Sequence, residues 1–273
     1  MTGQRYAGSV AAQYATGGTR ARIEAALRAA GKDLDGLHPS DFATFEDFHS
    51  LGRLGTVSLL EAAGVNAADH VLDAGSGIGG TARLLAADHG CRVTAVDLTD
   101  EYCDTARWLN DLVGLTDNID VIEGDITALP LPDATFDLIV TQHVQMNIAD
   151  KAGLYREARR VLRRGGRLAL WDVTAGPHQP IHFPVPWADT PEGSHLITPD
   201  ELRTTLQRAG FTIDRWNDLT DFAVAAMTPV FDAAPDPLGL QLLVPDIATK
   251  GKTLIANARE DRLRLIQAVA TAA

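Results

Sequence analysis

One glycine-rich turn is the part of this chain best suited to bind a nucleoside cofactor: residues 71–80, with the sequence VLDAGSGIGG. Its glycines permit positive φ angles and a close approach of the backbone to a ligand, and the helix expected to begin near Gly79 offers free N–H groups. Gly75, Gly77 and Gly80 also fit the G-x-G-x-x-G spacing of dinucleotide sites, so the glycines alone do not decide between NAD and another nucleoside cofactor. The predicted contacts in this turn are Asp73, Gly75, Ser76, Gly77 and Gly79.

The acid at the end of the apolar segment, Asp73, distinguishes between these cofactors. Its carboxylate would repel the pyrophosphate of a dinucleotide, whereas a cation near 4 Å would be attracted by about 4 kcal/mol at an effective dielectric of 20. S-adenosylmethionine carries an ammonium and a sulfonium and has no phosphate. Asp73 therefore favours S-adenosylmethionine over NAD.

Four further segments follow in an order that predicts a parallel sheet with alternating helices. Residues 92–97 predict a second strand, and it ends in Asp97, 22 residues after Gly75, where a carboxylate accepts two O–H bonds from a ribose. Ligands of such sheets bind beyond the carboxyl ends of the strands. The remaining segments are a third strand over residues 121–126, a fourth over 136–140, and a helix, turn and strand over 161–170.

Together these segments resemble the class I S-adenosylmethionine-dependent methyltransferases over roughly residues 71–173, and the rest of the chain resembles them more loosely. The resemblance is closest to the small-molecule branch, which includes sarcosine/dimethylglycine and ubiquinone/menaquinone-pathway methyltransferases. It implies an α/β fold with a Rossmann-like, seven-stranded, mostly parallel sheet and helices on both faces. It also implies that Asp125 binds the adenine amino group. The cofactor contacts expected after the later strands are Asp97, Leu98, Asp125, Ile126 and Gln142.

The chain is expected to form one sheet-containing core with additions. Residues 1–65 predict an N-terminal helical arm or cap, and residues 66–273 predict the cofactor-binding core. Four prolines between 177 and 186 exclude a regular helix, so residues 174–197 predict a loop that acts as a lid over the site. The other expected elements are helices over 20–32, 41–65 and 199–210, a helical insertion over 221–259, and strands over 211–219 and 263–270.

Several polar residues are candidates for the chemistry itself. His143, after the fourth strand, is the leading candidate for a base or a substrate-orienting group, and the alternative is a histidine that only bonds a backbone carbonyl. His49 and Arg53 are candidates to contact a cofactor carboxylate or a substrate anion, although Arg53 also fits a solvated helix position. Tyr14 would place its ring against the sulfonium or act as an apolar anchor. The catalytic candidates are His143, His49 and Tyr14, and the predicted substrate contacts are Arg53, Asn147, His178 and Trp187.

The overall charge limits the partners. With 24 basic and 36 acidic residues the net charge is −12, which disfavours nucleic acid and anionic membranes. The sequence has no signal pattern and no long apolar run, so we expect a cytoplasmic protein with a small-molecule partner, and a monomer and a homodimer both stay open. Cys91 and Cys103 are expected to be buried thiols, and the histidine spacing predicts no metal site.

The sequence thus predicts transfer of a methyl group to a nitrogen, oxygen or activated carbon of a small molecule, by in-line displacement in a capped pocket. Holding the two reactants in line supplies roughly 7–11 kcal/mol of barrier reduction, and a base is needed only for a protonated nucleophile. Two alternatives stay open. One is the same fold using the cofactor for another reaction, such as a cyclisation, and the other is an NAD-dependent oxidoreductase.

Overall fold

A seven-stranded sheet organises the chain, and the computed structural model describes residues 17–273. The strands are β1 His70–Ala74, β2 Arg92–Asp97, β3 Ile119–Glu123, β4 Phe136–Gln142, β5 Leu162–Ala175, β6 Phe211–Asp218 and β7 Leu263–Ala272. Their order is β3-β2-β1-β4-β5-β7-β6. The first five are parallel, and β7 lies antiparallel between β5 and β6. The predicted fold class is therefore confirmed.

Eight α-helices of the described residues pack around this sheet. They are α1 Thr19–Ala29, α2 Gly52–Ala63, α3 Gly80–His89, α4 Asp100–Leu112, α5 Lys151–Val161, α6 Pro199–Arg208, α7 Thr220–Asp232 and α8 Ile247–Arg259.

Successive residues of the inner strands point to opposite faces of the sheet, as the pleat requires. Val71 joins the apolar cluster that includes residues of α2, α3, α7 and α8, whereas Leu72 joins the cluster that includes residues of α5 and α6. Helices thus cover both faces of the sheet, which explains why the sequences of β1, β2 and β4 are mostly apolar. A third cluster packs Ile23 of α1 and Phe45 against Leu109 of α4 and Leu243.

Residues 41–65 do not form the single helix that the sequence predicts. A short 3-10 helix covers Pro39–Phe42, and α2 begins only at Gly52. Leu51 and Gly52 both have positive φ angles, 70° and 49°, which interrupt a right-handed helix. The expected turn within residues 161–170 is also wrong, because β5 starts at Leu162, directly after α5.

The other helices and strands expected within residues 17–273 are present with small shifts in their bounds. The helical insertion consists of α7 and α8, which are separated by residues 233–246. Residues 176–197 form an irregular segment with a short 3-10 helix at Pro191–Gly193 and a buried Trp187. Both cysteines are free and buried. No helix within residues 17–273 has the length and apolar character needed to cross a membrane.

Candidate functional site

The end of β1 carries a buried carboxylate without a full set of partners. Asp73 is buried, and its Oδ2 atom has no hydrogen-bond partner. Burial and the neighbouring Asp97 raise the pKa of Asp73 to about 7. Because a buried carboxylate is costly unless it is paired, this atom marks a position where a cationic ligand would be stabilised.

The glycine turn after β1 lies against open space. Gly75 has φ 79°, and a Cβ atom there would lie 2.4 Å from Cγ2 of Val144, so no larger residue fits. Gly77 has φ 54°, and a Cβ atom there would meet nothing within 4 Å. Ser76 between them has a buried hydroxyl oxygen without a hydrogen-bond partner. The turn therefore offers a backbone surface and a polar group to a ligand.

Gly79, another predicted cofactor contact, lies where the turn meets α3. It caps the N-terminus of α3 with φ 87° and is not among the lining residues of the cavity. A Cβ atom at Gly79 would lie 3.0 Å from Nη1 of the buried Arg83. The backbone geometry of the turn is sufficient to require this glycine, and its contact with a cofactor stays a prediction.

The acids after β2 and β3 line the same cavity as the turn. Asp97 accepts hydrogen bonds from the backbone N–H of Gly77 at 2.8 Å and of Thr99 at 2.9 Å, and burial raises its pKa. Asp125 accepts from the backbone N–H and the hydroxyl of Thr127, at 2.8 and 2.7 Å. The neighbouring Leu98 and Ile126 also line the cavity.

The end of β4 places Gln142 and His143 beside the glycine turn. Gln142 donates from Nε2 to the hydroxyl of Thr81 at 2.9 Å, and its Oε1 has no partner. His143 has φ 51°, and its backbone N–H donates to the carbonyl of Trp171 at 2.7 Å. Its Nε2 atom is buried without a partner. Burial and the neighbouring His49 hold the pKa of His143 well below 6.5, so the ring is neutral at neutral pH.

A buried acid that the sequence reasoning missed holds the loop after His143. Asp172 of β5 accepts from the backbone N–H groups of Val144 and Gln145, both at 2.9 Å. Burial raises its pKa to about 6. Lys151 donates to the carbonyls of Gln145 and Ile148, and burial lowers its pKa to about 8. An acid inside the apolar run LALWDVTA was the available signal.

Arg53 is not among the lining residues of the cavity, and its role in substrate binding stays a prediction. Its guanidinium pairs with Glu46 and, at 2.6 Å, with Asp47. Glu46 is also bound by the buried Arg83 at 2.7 Å. The four side chains form an ion-pair cluster in which Glu46, Asp47 and Arg83 are buried, and their charges neutralise one another.

His49 lies in the cavity wall close to His143. Its Nε2 lies 3.0 Å from the hydroxyl of Thr56, and its Nδ1 lies 3.2 Å from the carbonyl of Ser50. The ring centroids of His49 and His143 are 6.0 Å apart. The structure thus brings together two of the three residues that the sequence singled out as catalytic candidates. The third, Tyr14, lies outside the described residues.

The predicted substrate contacts separate in the structure. Asn147 and Trp187 line the cavity, and the indole of Trp187 donates to the hydroxyl of Ser194 at 3.0 Å. His178 is exposed and is not among the lining residues, with its Nδ1 atom 3.0 Å from the carbonyl of Glu260, and its role in substrate binding stays a prediction.

The cavity at these strand ends has a volume of about 900 Å³. Its floor is polar and carries Asp73, Asp97 and Gln142, and its upper wall is apolar and comes from residues 146–148, Trp187, α7 and α8. In the part of the chain that the structure describes, no three His, Cys, Asp or Glu side chains are placed to hold a metal ion. The arrangement suits a nucleoside cofactor with a positive charge beside an apolar second ligand.

Known proteins contain the same type of domain. Residues 72–170 match the model of a family described as "Methyltransferase domain". The chain is 33% identical over 151 residues to sarcosine/dimethylglycine N-methyltransferase of Halorhodospira halochloris, which covers 55% of this chain and 54% of that protein. It is 30% identical over 185 residues to sterol 24-C-methyltransferase of Eremothecium gossypii, covering 65% of this chain and 49% of the relative.

The chain therefore spans about half the length of these curated relatives. Among solved structures, its fold is similar to that of geranyl diphosphate C-methyltransferase from Streptomyces coelicolor A3(2), with a TM-score of 0.73. That alignment covers 98% of both chains at 16% identity. At this identity, the likeness concerns the fold alone.

Proposed function

Because the chain belongs to the class I S-adenosylmethionine-dependent methyltransferases, we propose that it transfers a methyl group to a nitrogen, oxygen or activated carbon of a small-molecule acceptor. The observation that carries this proposal is the buried Asp73 carboxylate, whose Oδ2 has no partner and which lies beside Asp97. A negative site of this kind favours S-adenosylmethionine, which carries two positive charges near its sulfur end.

The residues at the strand ends fit this cofactor. Gly77 and Ser76 would lie along it, because one leaves open space and the other has an unbonded hydroxyl. Asp97 would hold the ribose hydroxyls, since each of its oxygens keeps a free lone pair after accepting one N–H bond. Asp125 and Ile126 would hold the adenine. When bound, the cofactor supplies a methyl group on a positively charged sulfur.

The chain itself contributes position, exclusion of water and a proton acceptor. The apolar wall of the cavity keeps water from the methyl group and fixes the acceptor in line, which supplies roughly 7–11 kcal/mol of barrier reduction. His143 has a neutral ring with an unbonded Nε2, so it would take the proton of an acceptor hydroxyl or ammonium. Both ring nitrogens of His49 have partners, Thr56 and the carbonyl of Ser50, so His49 would shape the wall beside His143 rather than bond the acceptor.

The alternatives receive less support. The named relatives are methyltransferases, which does not favour a cyclisation or another reaction without methyl transfer. Asp73 and Asp97 side by side oppose the pyrophosphate of NAD, so an oxidoreductase is not favoured either.

Titration calorimetry of the wild type with S-adenosylmethionine, S-adenosylhomocysteine and NADH tests the cofactor. We expect micromolar binding of the first two and none of NADH. Asp73→Asn should weaken the binding of S-adenosylmethionine and S-adenosylhomocysteine by about 1–3 kcal/mol, because it removes a charged partner. Asp120→Asn is the matched control, since this exposed acid pairs only with Arg92 at the surface. Binding of NADH, or equal affinities for wild type and Asp73→Asn, would overturn the assignment.

A further inference from the structure

The acceptor side of the cavity is apolar. Above the strand ends, the wall comes from the loop after β4, from the irregular segment 176–197 and from α7 and α8. Two apolar residues at the mouth are exposed, Leu54 by 55% and Val230 by 67%. Large exposed apolar side chains at a cavity mouth are typical of a binding surface for apolar ligands. The apolar wall residues are Met146, Ile148, Trp187, Ala226, Met227, Phe231 and Leu254.

Among residues 17–273, the lining of this cavity contains aspartates and glutamates but no basic residue other than histidine. Neither lysine nor arginine lies among the lining residues of that part of the chain. The cationic side chains around the site already have partners: Arg53 and Arg83 pair with Glu46, Lys250 pairs with Asp189, and Lys151 donates to two backbone carbonyls of the loop after β4. The acidic lining residues are Glu46, Asp47, Asp73, Asp97, Asp125 and Asp150.

An anionic acceptor would therefore lose its hydration without gaining a cation. Phosphate and carboxylate groups are recognised by arginine and lysine through charge-assisted hydrogen bonds, and the described wall offers none. An uncharged polar group has partners there, because Oε1 of Gln142 and Nε2 of His143 have no hydrogen-bond partners. Oε1 of Gln142 accepts a hydrogen bond and Nε2 of a neutral ring accepts or donates one, which suits an O–H or N–H group on the acceptor.

We propose that the acceptor is an uncharged, mainly apolar molecule without phosphate or carboxylate, whose single polar end faces Gln142 and His143. Its apolar body lies against α7 and α8, and it enters between Leu54 and Val230. This inference rests on the proposed methyltransferase function and names the substrate class of the same site.

Two probes with the same apolar chain test the charge preference: geraniol and geranyl diphosphate. Titration calorimetry is done on the full chain saturated with S-adenosylhomocysteine, with and without Mg²⁺. We expect geraniol to bind at least about 10-fold more tightly than geranyl diphosphate under both conditions, because only the diphosphate loses hydration without a cationic partner. Tighter binding of the diphosphate, or binding of neither probe, would overturn the inference.

Adjacent alanines of α7 supply a matched pair of variants. Ala226 lines the cavity, whereas Ala225 is exposed and does not. Ala226→Lys should weaken the binding of geraniol at least about 10-fold and strengthen the binding of geranyl diphosphate, since it places an ammonium in the wall. Ala225→Lys should leave both affinities unchanged. Equal effects of the two variants would overturn the role assigned to the α7 wall.

The binding of S-adenosylhomocysteine separates the two proposals. If the wild type does not bind it, the proposed function fails. If the wild type binds it and prefers the diphosphate probe, the methyltransferase assignment stands and only the uncharged, apolar acceptor is excluded.

Discussion

His143 has a left-handed backbone, with φ 51°, a conformation that few residues other than glycine adopt. Such a conformation costs on the order of 1–3 kcal/mol and persists only where the surroundings impose it. The bond from its N–H to the carbonyl of Trp171 and the two N–H bonds into Asp172 impose it here. The result is a neutral imidazole with a free Nε2 in the cavity wall.

Replacing His143 by asparagine separates catalysis from folding. Asparagine tolerates the left-handed backbone, so the fold should persist while the basic nitrogen is lost. We expect turnover of the first acceptor identified to fall about 100-fold, with the dissociation constant for S-adenosylhomocysteine changed by less than about threefold. An NMR titration of labelled histidines in the wild type should show that His143 stays neutral at pH 6. A protonated His143 at that pH, or unchanged turnover in His143→Asn, would remove its role as a base.

Side-chain roles could be predicted only where position on the sheet determines them. Asp73, Asp97 and His143 follow strands, and parallel strands bring their carboxyl ends to one edge. The partners of Arg53 and His178, which are Glu46 and the carbonyl of Glu260, are set by tertiary packing. A single sequence gives no signal for that pairing.

At the level of elements, the loop between β4 and α5 is held by β5, the strand that follows α5 in the chain. Asp172 of β5 receives two backbone N–H groups of this loop, and Lys151 at the start of α5 donates to two of its carbonyls. Buried polar groups of this kind are costly to leave unpaired. The loop geometry, and with it the position of His143, therefore depends on the Asp172 carboxylate.

Asp172→Ala should lower the free energy of unfolding by about 2–4 kcal/mol, because it leaves the backbone N–H groups of Val144, Gln145 and Val173 without their acceptor. Denaturant unfolding measures this change. Asp214→Ala is the control, since this exposed acid of β6 bonds the hydroxyl of Thr271 at the surface. If both variants lost the same stability, Asp172 would have no special role in holding the loop.

The elements themselves were largely predictable. The strands of the core follow from apolar runs that end in an acid or a polar residue, and the helix at Pro199–Arg208 follows from its Thr198 cap and leading proline. The prediction failed at residues 43–51, which the helix expected over residues 41–65 included. Because Leu51 and Gly52 have positive φ angles, the helix does not extend to the residues before them. The ion pairs of the buried Glu46 hold this irregular segment. Apolar periodicity reports neither effect.

Across the whole molecule, buried acids make the folded chain a proton acceptor. The pKa values of Asp73 and Asp172 are raised from 3.8 to about 7 and about 6, and that of Asp97 is raised as well. These three acids therefore bind more protons in the folded chain than in the unfolded chain between about pH 4 and 7, and their contribution to stability falls as the pH rises through this range. His70, His143 and His195 oppose this trend, because their lowered pKa values make the unfolded chain the better proton acceptor at these sites.

The contribution of Asp73 to this trend can be isolated with Asp73→Asn. The wild type loses stability as pH rises because the unfolded Asp73 ionises near 3.8, whereas the folded one ionises only near 7. The variant lacks this titrating carboxyl group, so its unfolding free energy should increase relative to the wild type by about 2–3 kcal/mol from pH 5 to pH 8. Denaturant unfolding at four pH values measures the difference, with Asp120→Asn expected to run parallel to the wild type. A parallel curve for Asp73→Asn would show that Asp73 is already ionised in the folded chain at pH 5, and that burial does not raise its pKa.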